Sequence, residues 1–344
     1  MKTWMWKPTS KEAQMPDIRI LTEAELRDLV PLDLDAVDCV EQGFTTLAGG
    51  KVVMPPIMTL GVPDHNGEVC VKTAYVPGID SFAMKMSPGF FDNPKIGLPS
   101  TTGLMVVFSS RTGILEALLL DNGYLTDVRT AAAGAVAARH LARAEASHVC
   151  IIGAGVQARM QLQAMTLVRD IESAAIWARD VAKAEAAAAS LRQDLGIDVT
   201  VGTDIAQAVS PADIVITTTP ASSPVIRAEW LQPGQLVIAM GSDQEHKGEL
   251  EPACLTKADL YVPDSQAQCA LKGELRSAIE AGLIAAGQSF AELGQVTSGQ
   301  TPGRRSDREL IIADLTGTGV QDTAIATLAG NRADATGAGA TFTS

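Results

Sequence analysis

The spacing of hydrophobic and polar positions changes near residue 125 of the chain. Upstream of that point, short apolar runs are separated by turns rich in Pro and Gly, a pattern that predicts β-strands. We expect these strands at residues 52–60, 68–75, 82–87, 103–109 and 114–120, preceded by helices at 23–30 and 34–47. Downstream, helices and apolar strands follow each other in turn, which is typical of a parallel sheet covered by helices. The pattern predicts an α/β protein.

An alanine-rich segment, residues 126–144, marks the change of pattern. Asp127 near its start and Arg139 and His140 near its end suit the dipole of a helix over the whole segment. We expect a last helix at residues 322–329. The tail after it, residues 331–344, is expected to be frayed because its residues are small and polar, and residues 1–14 are expected to form a disordered extension.

The strongest local motif is a glycine turn between an apolar strand and a helix. Residues 148–152 are followed by Gly153-Ala-Gly155-Val-Gln-Ala158, and a helix is expected at 159–168. Gly153 would form the tight turn, Gly155 would let the backbone approach a pyrophosphate, and Ala158 would allow close packing of helix on strand. Free N–H groups at the start of the helix attract anions. With a second strand at 174–178, the motif predicts a dinucleotide-binding unit of the Rossmann type.

The end of that second strand bears on the choice between NAD and NADP. An acidic residue there would bind the ribose hydroxyls of NAD, but Ala178 occupies the usual position. Arg179 could bind the 2′-phosphate of NADP, and Asp180 could reach the ribose instead. An exposed Arg–Asp pair without a function is an equally good interpretation, so the choice stays open.

Two further apolar strands, 214–217 and 237–240, end in small polar residues. Ligands of open parallel sheets bind at the carboxyl ends of the strands. We therefore predict that Thr219 and the turn from Met240 to Ser242 line the cofactor. The alternative is that their hydroxyl groups only cap the loops.

Composition and charge exclude several classes of function. Of the 344 residues 46% are hydrophobic, and 40 acidic against 27 basic residues give a net charge of −13. So acidic a chain is a poor partner for nucleic acid or an anionic membrane, and no uncharged run reaches the roughly 20 apolar residues that span a bilayer. Five separated cysteines and four scattered histidines predict neither a disulfide framework nor a metal site. We expect a cytoplasmic protein with a small-molecule substrate.

Three charged residues offer what a nicotinamide-dependent enzyme needs, a cation for the substrate carboxylate and a proton donor. Lys85 stands in an apolar strand, where burial would lower its pKa, although a lysine there can also protect a sheet edge. Arg129 opposes the dipole of the alanine-rich helix, which indicates a bound anion or an intrahelical salt bridge. Asp243 follows a strand of the parallel sheet and is either a general acid/base or a helix N-cap.

Together these segments resemble the ornithine cyclodeaminase/μ-crystallin family from about residue 17 to 330. The resemblance is carried by Lys85 before a Pro-Gly turn, Leu125-Thr-Asp-Val-Arg-Thr-Ala-Ala, Gly153-Ala-Gly-Val-Gln and Gly241-Ser-Asp…Lys247-Gly-Glu-Leu. It implies a homodimer and, in each chain, a Rossmann-type, doubly wound NAD(P)-binding domain at residues 129–320. It also implies a smaller α+β domain for substrate binding and dimerisation, formed by residues 1–128 and completed by 321–344.

The resemblance implies roles for individual positions. Lys85 and Arg129 become catalytic cations at the substrate carboxylate, and Asp243 becomes the proton donor or acceptor. Leu315 and Thr316 are implied to lie near the nicotinamide, with Thr316 also close to the substrate. The cofactor, most simply NAD(H) with NADP(H) not excluded, is implied to contact Thr101, Arg129, Val156, Gln157, Thr219, Val237, Ile238, Ala239, Met240 and Lys247.

One branch of the family matches further. The runs Glu68-Val-Cys-Val-Lys-Thr-Ala-Tyr75 and Met86–Asn93 are similar to the branch that contains iminosuccinate reductase and the ectoine-utilisation homologues. Family cyclodeaminases place an Arg after the Pro of the early strand, where this chain has Pro55-Pro56-Ile57-Met58. The resemblance therefore implies reduction of a small imino acid, first of all iminosuccinate to L-aspartate. Lys72 would be the second carboxylate anchor, or else a surface lysine.

Three other functions stay open. The first is cyclodeamination of ornithine to proline, with NAD regenerated in each turnover. The second is an activity like that of alanine dehydrogenase. The third is nicotinamide-dependent binding without turnover, since a fold alone does not determine chemistry.

Overall fold

The computed structural model describes residues 17–343. The strands are β1 (Ile18–Thr22), β2 (Met58–Val62), β3 (Gly67–Thr73), β4 (Ser81–Phe90), β5 (Leu104–Ser109), β6 (Leu115–Leu120), β7 (His148–Ile152), β8 (Ser173–Trp177), β9 (Asp198–Val201), β10 (Ile214–Thr217), β11 (Leu236–Ala239), β12 (Leu260–Pro263), β13 (Ile311–Asp314) and β14 (Ala340–Phe342). The helices are α1 (Glu23–Leu29), α2 (Leu34–Ala48), α3 (Tyr124–Leu141), α4 (Val156–Val168), α5 (Val181–Leu195), α6 (Ile205–Val209), α7 (Ala253–Lys257), α8 (Gln266–Cys269), α9 (Glu274–Glu280), α10 (Leu293–Thr297) and α11 (Gly319–Thr336). Short 3₁₀ turns cover Pro63–His65, Asn93–Ile96 and Ala228–Trp230.

The first seven-stranded sheet has the order β14-β1-β6-β5-β4-β3-β2. Strands β2 to β6 form an antiparallel meander, and β1 pairs parallel with β6 and antiparallel with β14. Side chains alternate between the two faces of each strand. Met105 and Leu119 accordingly share one face, where they form a core with Leu26 of α1 and Ile325 of α11.

The second seven-stranded sheet is entirely parallel, in the order β12-β13-β11-β10-β7-β8-β9. Its strands are apolar on both faces because helices cover both. Ile151 belongs to the core with Leu162 of α4, and the neighbouring Ile152 belongs to the core with Leu255 of α7 on the other face. This is a Rossmann-type, doubly wound sheet, and the predicted α/β fold class is confirmed.

Two helices connect the sheets. Val128 in the first half of α3 packs into the core of the first sheet, whereas Val136 and Leu141 further along pack into a core of the second. Alanines between them keep the helix slim enough to lie against both neighbours. Helix α11 starts shortly after β13 of the second sheet and returns to the first sheet, so residues 315–318 lie where the two sheets meet.

Among the departures from the predicted boundaries, three are the most informative. β2 begins at Met58, after Pro55 and Pro56, which cannot donate ladder hydrogen bonds. Helix α4 begins at Val156, directly after the glycine turn. The frayed tail is wrong, because α11 continues to Thr336 and β14 pairs with β1 after glycines 337 and 339, both with positive φ. The expectation for residues 1–14 lies outside the described residues, and the domain boundaries stay a prediction.

Several further properties hold within residues 17–343. None of the helices is both long and apolar enough to cross a bilayer. No group of three or more His, Cys, Asp or Glu side chains is arranged to hold a metal ion. All five cysteines are free thiols.

Candidate active site

The glycine turn lies at the carboxyl edge of the parallel sheet, between β7 and α4. Gly153 has a φ of +131°, and a Cβ there would collide with the hydroxyl of Thr218. A Cβ on Gly155 would meet no atom within 4 Å, so the backbone is open to a ligand. Helix α4 begins at Val156 without a side-chain cap, which leaves its first N–H groups for an anion. These features fit the pyrophosphate of a dinucleotide.

A buried carboxylate, that of Glu249, holds the neighbouring strand ends together. It accepts hydrogen bonds from the Thr217 hydroxyl at 2.6 Å, from the N–H and hydroxyl of Thr219 at 2.6 and 2.7 Å, and from the Gly241 N–H at 2.7 Å. Burial raises the pKa of Glu249, and these donors oppose the rise. The carboxylate therefore stabilises the loops after β10 and β11, at the edge where a cofactor would lie.

Several predicted cofactor residues have side chains that support this edge from within, and their contact with the cofactor stays a prediction. Four of them have side chains in the cores, because β11 is a central strand with helices on both faces: Val237, Ile238, Ala239 and Met240. The Ser242 hydroxyl is also buried and donates to the Lys247 carbonyl at 3.0 Å. The Thr219 hydroxyl donates a hydrogen bond to Glu249. The side chain of Leu315 is buried, and its N–H donates to the Ala239 carbonyl at 2.9 Å.

Of the three predicted cofactor residues at the end of β8, two have structural roles and one is available to a ligand. Ala178 packs against the core of the sheet. Asp180 caps α5 by accepting a hydrogen bond from the Lys183 N–H at 3.1 Å. Arg179 is exposed, and its side chain makes no hydrogen bond or ion pair with any residue from 17 to 343. Arg179 is therefore the charged group at this strand end that is available to a nucleotide.

The remaining predicted cofactor residues lie around the start of α4 and beside it. Val156 is 58% exposed in the first turn of α4. Gln157 donates from Nε2 to the carbonyl and to Oδ1 of Asp127, at 3.2 and 3.0 Å, which ties α4 to the start of α3. Thr101 is exposed and forms an isolated β-bridge with Gly89.

Three predicted cations meet in a buried cluster that we call the cation cluster: Lys72, Lys85 and Arg129. Lys85 of β4 and Arg129 of α3 both contact Oδ1 of Asp322 in α11, at 3.2 and 3.0 Å. Lys72 stands directly opposite Lys85 in the β3–β4 pair. All four side chains are buried, so neither edge protection for Lys85 nor a surface position for Lys72 describes them.

The protonation of Lys85 is set by this environment. Burial lowers the pKa of Lys85 to about 7, the charges of Arg129 and Lys72 act in the same direction, and Asp322 opposes them. The same cations hold the pKa of Asp322 below its ordinary value against the effect of burial. An amine with a pKa near neutrality can hold or release a proton under physiological conditions.

Lys72 reaches from the first sheet to the segment between β13 and α11. Its ammonium group donates to the carbonyls of Thr316 and Gly317, at 3.3 and 2.9 Å. From the other side, the buried carboxylate of Asp264 accepts from the Thr316 hydroxyl at 2.9 Å and the Gly317 N–H at 2.7 Å. The segment that borders the cation cluster is thus held from both sides.

Asp243 lies in the loop after β11, with its side chain 43% exposed. No helix begins at this position in the described structure, so the N-cap alternative is wrong. Asp243 Oδ1 accepts a hydrogen bond from Lys247 Nζ at 2.6 Å. Partial removal from water favours the neutral acid, but the charges of Lys247 and Lys72 outweigh it and lower the pKa of Asp243. Its carboxylate is ionised at neutral pH.

Sequence reasoning missed Asp322, Glu249, Asp264 and Gln244. Asp322 stands in the first turn of a predicted helix, where an acidic residue is ordinary, so only its buried partners reveal it. Glu249 belongs to the quoted Lys247-Gly-Glu-Leu motif, which was a usable signal. Gln244 crosses between the sheets by donating from Nε2 to Glu68 Oε1 and to Cys70 Sγ, both at 3.2 Å.

Comparison with known proteins places this geometry in context. A profile of the ornithine cyclodeaminase/mu-crystallin family matches residues 17–337. A relative from Rhizobium meliloti, named as a dehydrogenase, is 61% identical and covers 96% of this chain and 100% of its own. An alanine dehydrogenase from Archaeoglobus fulgidus is 38% identical and covers 89% of this chain and 92% of its own.

Solved structures agree with the comparison of sequences. An archaeal alanine dehydrogenase dimer with bound NAD has a TM-score of 0.88 at 33% identity, over 95% of this chain and 99% of its own. The Δ1-pyrroline-2-carboxylate reductase of Thermococcus litoralis, with NADH and L-proline, has a TM-score of 0.89 at 30% identity, over 94% and 99%. The iminosuccinate reductase of Paracoccus denitrificans, with NAD⁺, has a TM-score of 0.87 at 28% identity, over 95% and 99%.

Proposed function

The chain belongs to the ornithine cyclodeaminase/mu-crystallin family, and from this premise we propose that it reduces a small imino acid with NAD(P)H. The observation that carries the proposal is the buried cation cluster around Asp322, in a molecule whose glycine turn fits a pyrophosphate. The names of its relatives, alanine dehydrogenase and reductases of pyrroline-2-carboxylate and iminosuccinate, all concern amino or imino acids.

We propose NAD(H) as the cofactor, with Gly155 and the first turn of α4 at its pyrophosphate. The complexes of the related structures with NAD or NADH support this choice. The free charge of Arg179 keeps NADP(H) as an alternative. The bound cofactor would supply the hydride that reduces the imine carbon.

Arg129 and Lys85 would bind the α-carboxylate of the substrate. Arg129 donates through Nε to Asp322 and makes no other side-chain hydrogen bond among residues 17–343, so both Nη groups are available. A guanidinium fork and an ammonium group are strong donors to a carboxylate in a site that excludes water. The substrate carboxylate would also relieve the repulsion within the cation cluster.

Lys85 and Asp243 would share the handling of protons. Reduction of a neutral imine consumes one hydride and one proton, and the nitrogen ends as an amine. Asp243 is ionised and suits a protonated imine as its electrostatic partner. Lys85, with a pKa of about 7, is the better proton donor.

The finer proposal is that the substrate is iminosuccinate. Lys85 and Arg129 share one carboxylate, that of Asp322, and Lys72 beside them donates to two neutral carbonyls, so the three cations suit a dicarboxylate. Lys72 could then turn from the carbonyls of Thr316 and Gly317 to the second carboxylate. Ornithine fits less well, because its second ammonium group would approach three cations.

A monocarboxylate imine is the second candidate. The hydrogen bonds of Lys72 to two carbonyls favour it, because they leave Lys85 and Arg129 for a single carboxylate. The related Δ1-pyrroline-2-carboxylate reductase and alanine dehydrogenase are the models for such substrates. We further propose a homodimer, which the related archaeal alanine dehydrogenase forms. Cytoplasmic location stays a prediction.

Substitutions at the two proton-handling residues test this mechanism. We expect Lys85→Met and Asp243→Asn each to lower kcat/KM for imine reduction by about 100-fold or more, the usual value of a general acid–base group. NADH affinity, measured by fluorescence titration, should stay within about twofold because neither residue lies at the glycine turn. Lys95→Met, at an exposed lysine, is the control. Wild-type turnover in both variants would contradict the mechanism.

A further inference from the structure

Asp322 is the carboxylate beside the cation cluster that no substrate requirement explains. It lies in the first turn of α11, is fully buried, and places Oδ1 against both Lys85 and Arg129. We propose that Asp322 is a positioning residue, which orients Arg129 and holds the charge of Lys85 for binding the substrate carboxylate. This inference rests on the proposed function.

The orientation of Arg129 follows from which of its nitrogens is used. Asp322 takes the Nε–H at 3.0 Å, and neither Nη group donates a hydrogen bond to any residue from 17 to 343. They lie against Gly317, where a Cβ would come within 2.6 Å of Nη1. Gly317 also has a φ of +78°, a conformation that glycine adopts without strain. The carboxylate on one side and the bare backbone on the other define where the guanidinium fork can lie.

The charge of Lys85 depends on its neighbours from every element packed around it. Lys72 from β3 and Arg129 from α3 disfavour the ammonium form, and Asp322 from α11 favours it through a 3.2 Å contact. The carboxylates of Asp121 after β6 and Asp127 in α3 also interact with Lys85, at longer range. Among these carboxylates only Asp322 pairs directly with Lys85, so removal of its charge should shift the titration of Lys85 to lower pH.

The two carboxylate oxygens of Asp322 differ in their hydrogen bonding. Oδ2 is buried and has no hydrogen-bond partner among residues 17–343, although a buried carboxylate ordinarily fills its acceptor sites. A residue that only fastened α11 to the first sheet would gain stability from a donor at Oδ2. The arrangement instead places both cations on one oxygen, which fixes their separation and direction.

The test uses a ligand that needs no turnover. Pyrrole-2-carboxylate is a planar carboxylate that hydride does not reduce, and its affinity for the protein is measured by calorimetry from pH 5 to 10. We expect Asp322→Asn to weaken binding at pH 8 by at least about tenfold and to move the pH at which binding is lost down by about one unit. Asp322→Glu, which keeps the charge but moves it by one methylene, should weaken binding about tenfold and keep the pH dependence of the wild type.

Asp334→Asn provides the matched control, because Asp334 is on the same helix, 72% exposed, and pairs with Arg19. It should leave affinity and pH dependence unchanged. The inference is overturned if folded Asp322→Asn keeps the pH dependence of the wild type. It is overturned equally if Asp322→Glu matches the wild type in affinity, a result that stays decisive should the Asn variant not fold. A wild type that binds pyrrole-2-carboxylate but reduces no imine refutes the proposed function alone.

Discussion

Lys72 and Lys85 are neighbours in the β3–β4 pair but have different partners. Lys85 contacts the carboxylate of Asp322, whereas Lys72 donates to two neutral carbonyls. Hydrogen bonds to neutral groups satisfy the donors of an ammonium group without neutralising its charge. Lys72 therefore has no direct carboxylate partner among residues 17–343, although Asp243, Asp322 and Asp264 act on its charge at longer range. Its role depends on whether the substrate has a second carboxylate.

A substitution at Lys72 separates the two substrate candidates. If the substrate is iminosuccinate, Lys72→Met should lower kcat/KM with oxaloacetate plus ammonia by about 10- to 100-fold, the value of a charged hydrogen bond. With pyruvate plus ammonia the change should stay within about threefold. Lys257→Met is the matched control, because Lys257 also donates to two backbone carbonyls, those of Ala228 and Leu231. Equal losses with both substrates would instead mean that Lys72 maintains the conformation of residues 316–317 and does not bind a second carboxylate.

At the scale of elements, the turn between β7 and α4 contains two glycines, and each position calls for glycine for a different physical reason. Gly153 is needed for the fold, since its φ is +131° and a side chain would collide with Thr218. Gly155 has an ordinary extended conformation, with a φ of −82°, and free space around its Cα. The fold does not require glycine there, whereas an approaching pyrophosphate does.

This difference predicts opposite phenotypes for the two positions. Gly153→Ala should lower the free energy of unfolding by about 1–3 kcal/mol, measured in urea, because of backbone strain and the collision. Gly155→Val should change it by no more than about 0.5 kcal/mol, and should weaken NADH binding by at least about tenfold because the side chain fills the approach. Full NADH affinity in Gly155→Val would place the cofactor somewhere other than this turn.

At the scale of the whole molecule, the site is assembled from segments that are far apart along the chain. Local patterns predicted five strands of the first sheet and four of the second, the glycine turn and the residues Lys85 and Arg129, because each depends on a few neighbouring residues. Asp322 could not be predicted, since its partner Arg129 is 193 positions away and an acidic residue in a first helical turn has a simpler explanation. For the same reason β14 was missed, because its pairing partner β1 is at the opposite end of the described chain.

Burial on both faces determines which atoms of β11 can reach a cofactor. The apolar run of β11 predicts a strand of the parallel sheet, and its residues are predicted to contact the cofactor. A central strand with helices on both faces buries every side chain along its length, so Val237 and Ile238 serve the core. The residues left at the cofactor edge of the sheet are those in the loops after β10 and β11, such as Thr219 and Gly241, which Glu249 holds in place.

The most direct test of the account is net oxidation of reduced nicotinamide by an imino acid. Wild-type protein would be mixed with NADH or NADPH and with Δ1-pyrroline-2-carboxylate, oxaloacetate plus ammonia, or pyruvate plus ammonia, with Lys85→Met as the inactive control. We expect loss of NADH absorbance in step with formation of the amino acid, and the fastest pair identifies both substrate and nucleotide. NADH that binds but is oxidised by no imine would contradict it, and proline formation from ornithine without net NADH consumption would assign the cation cluster to cyclodeamination.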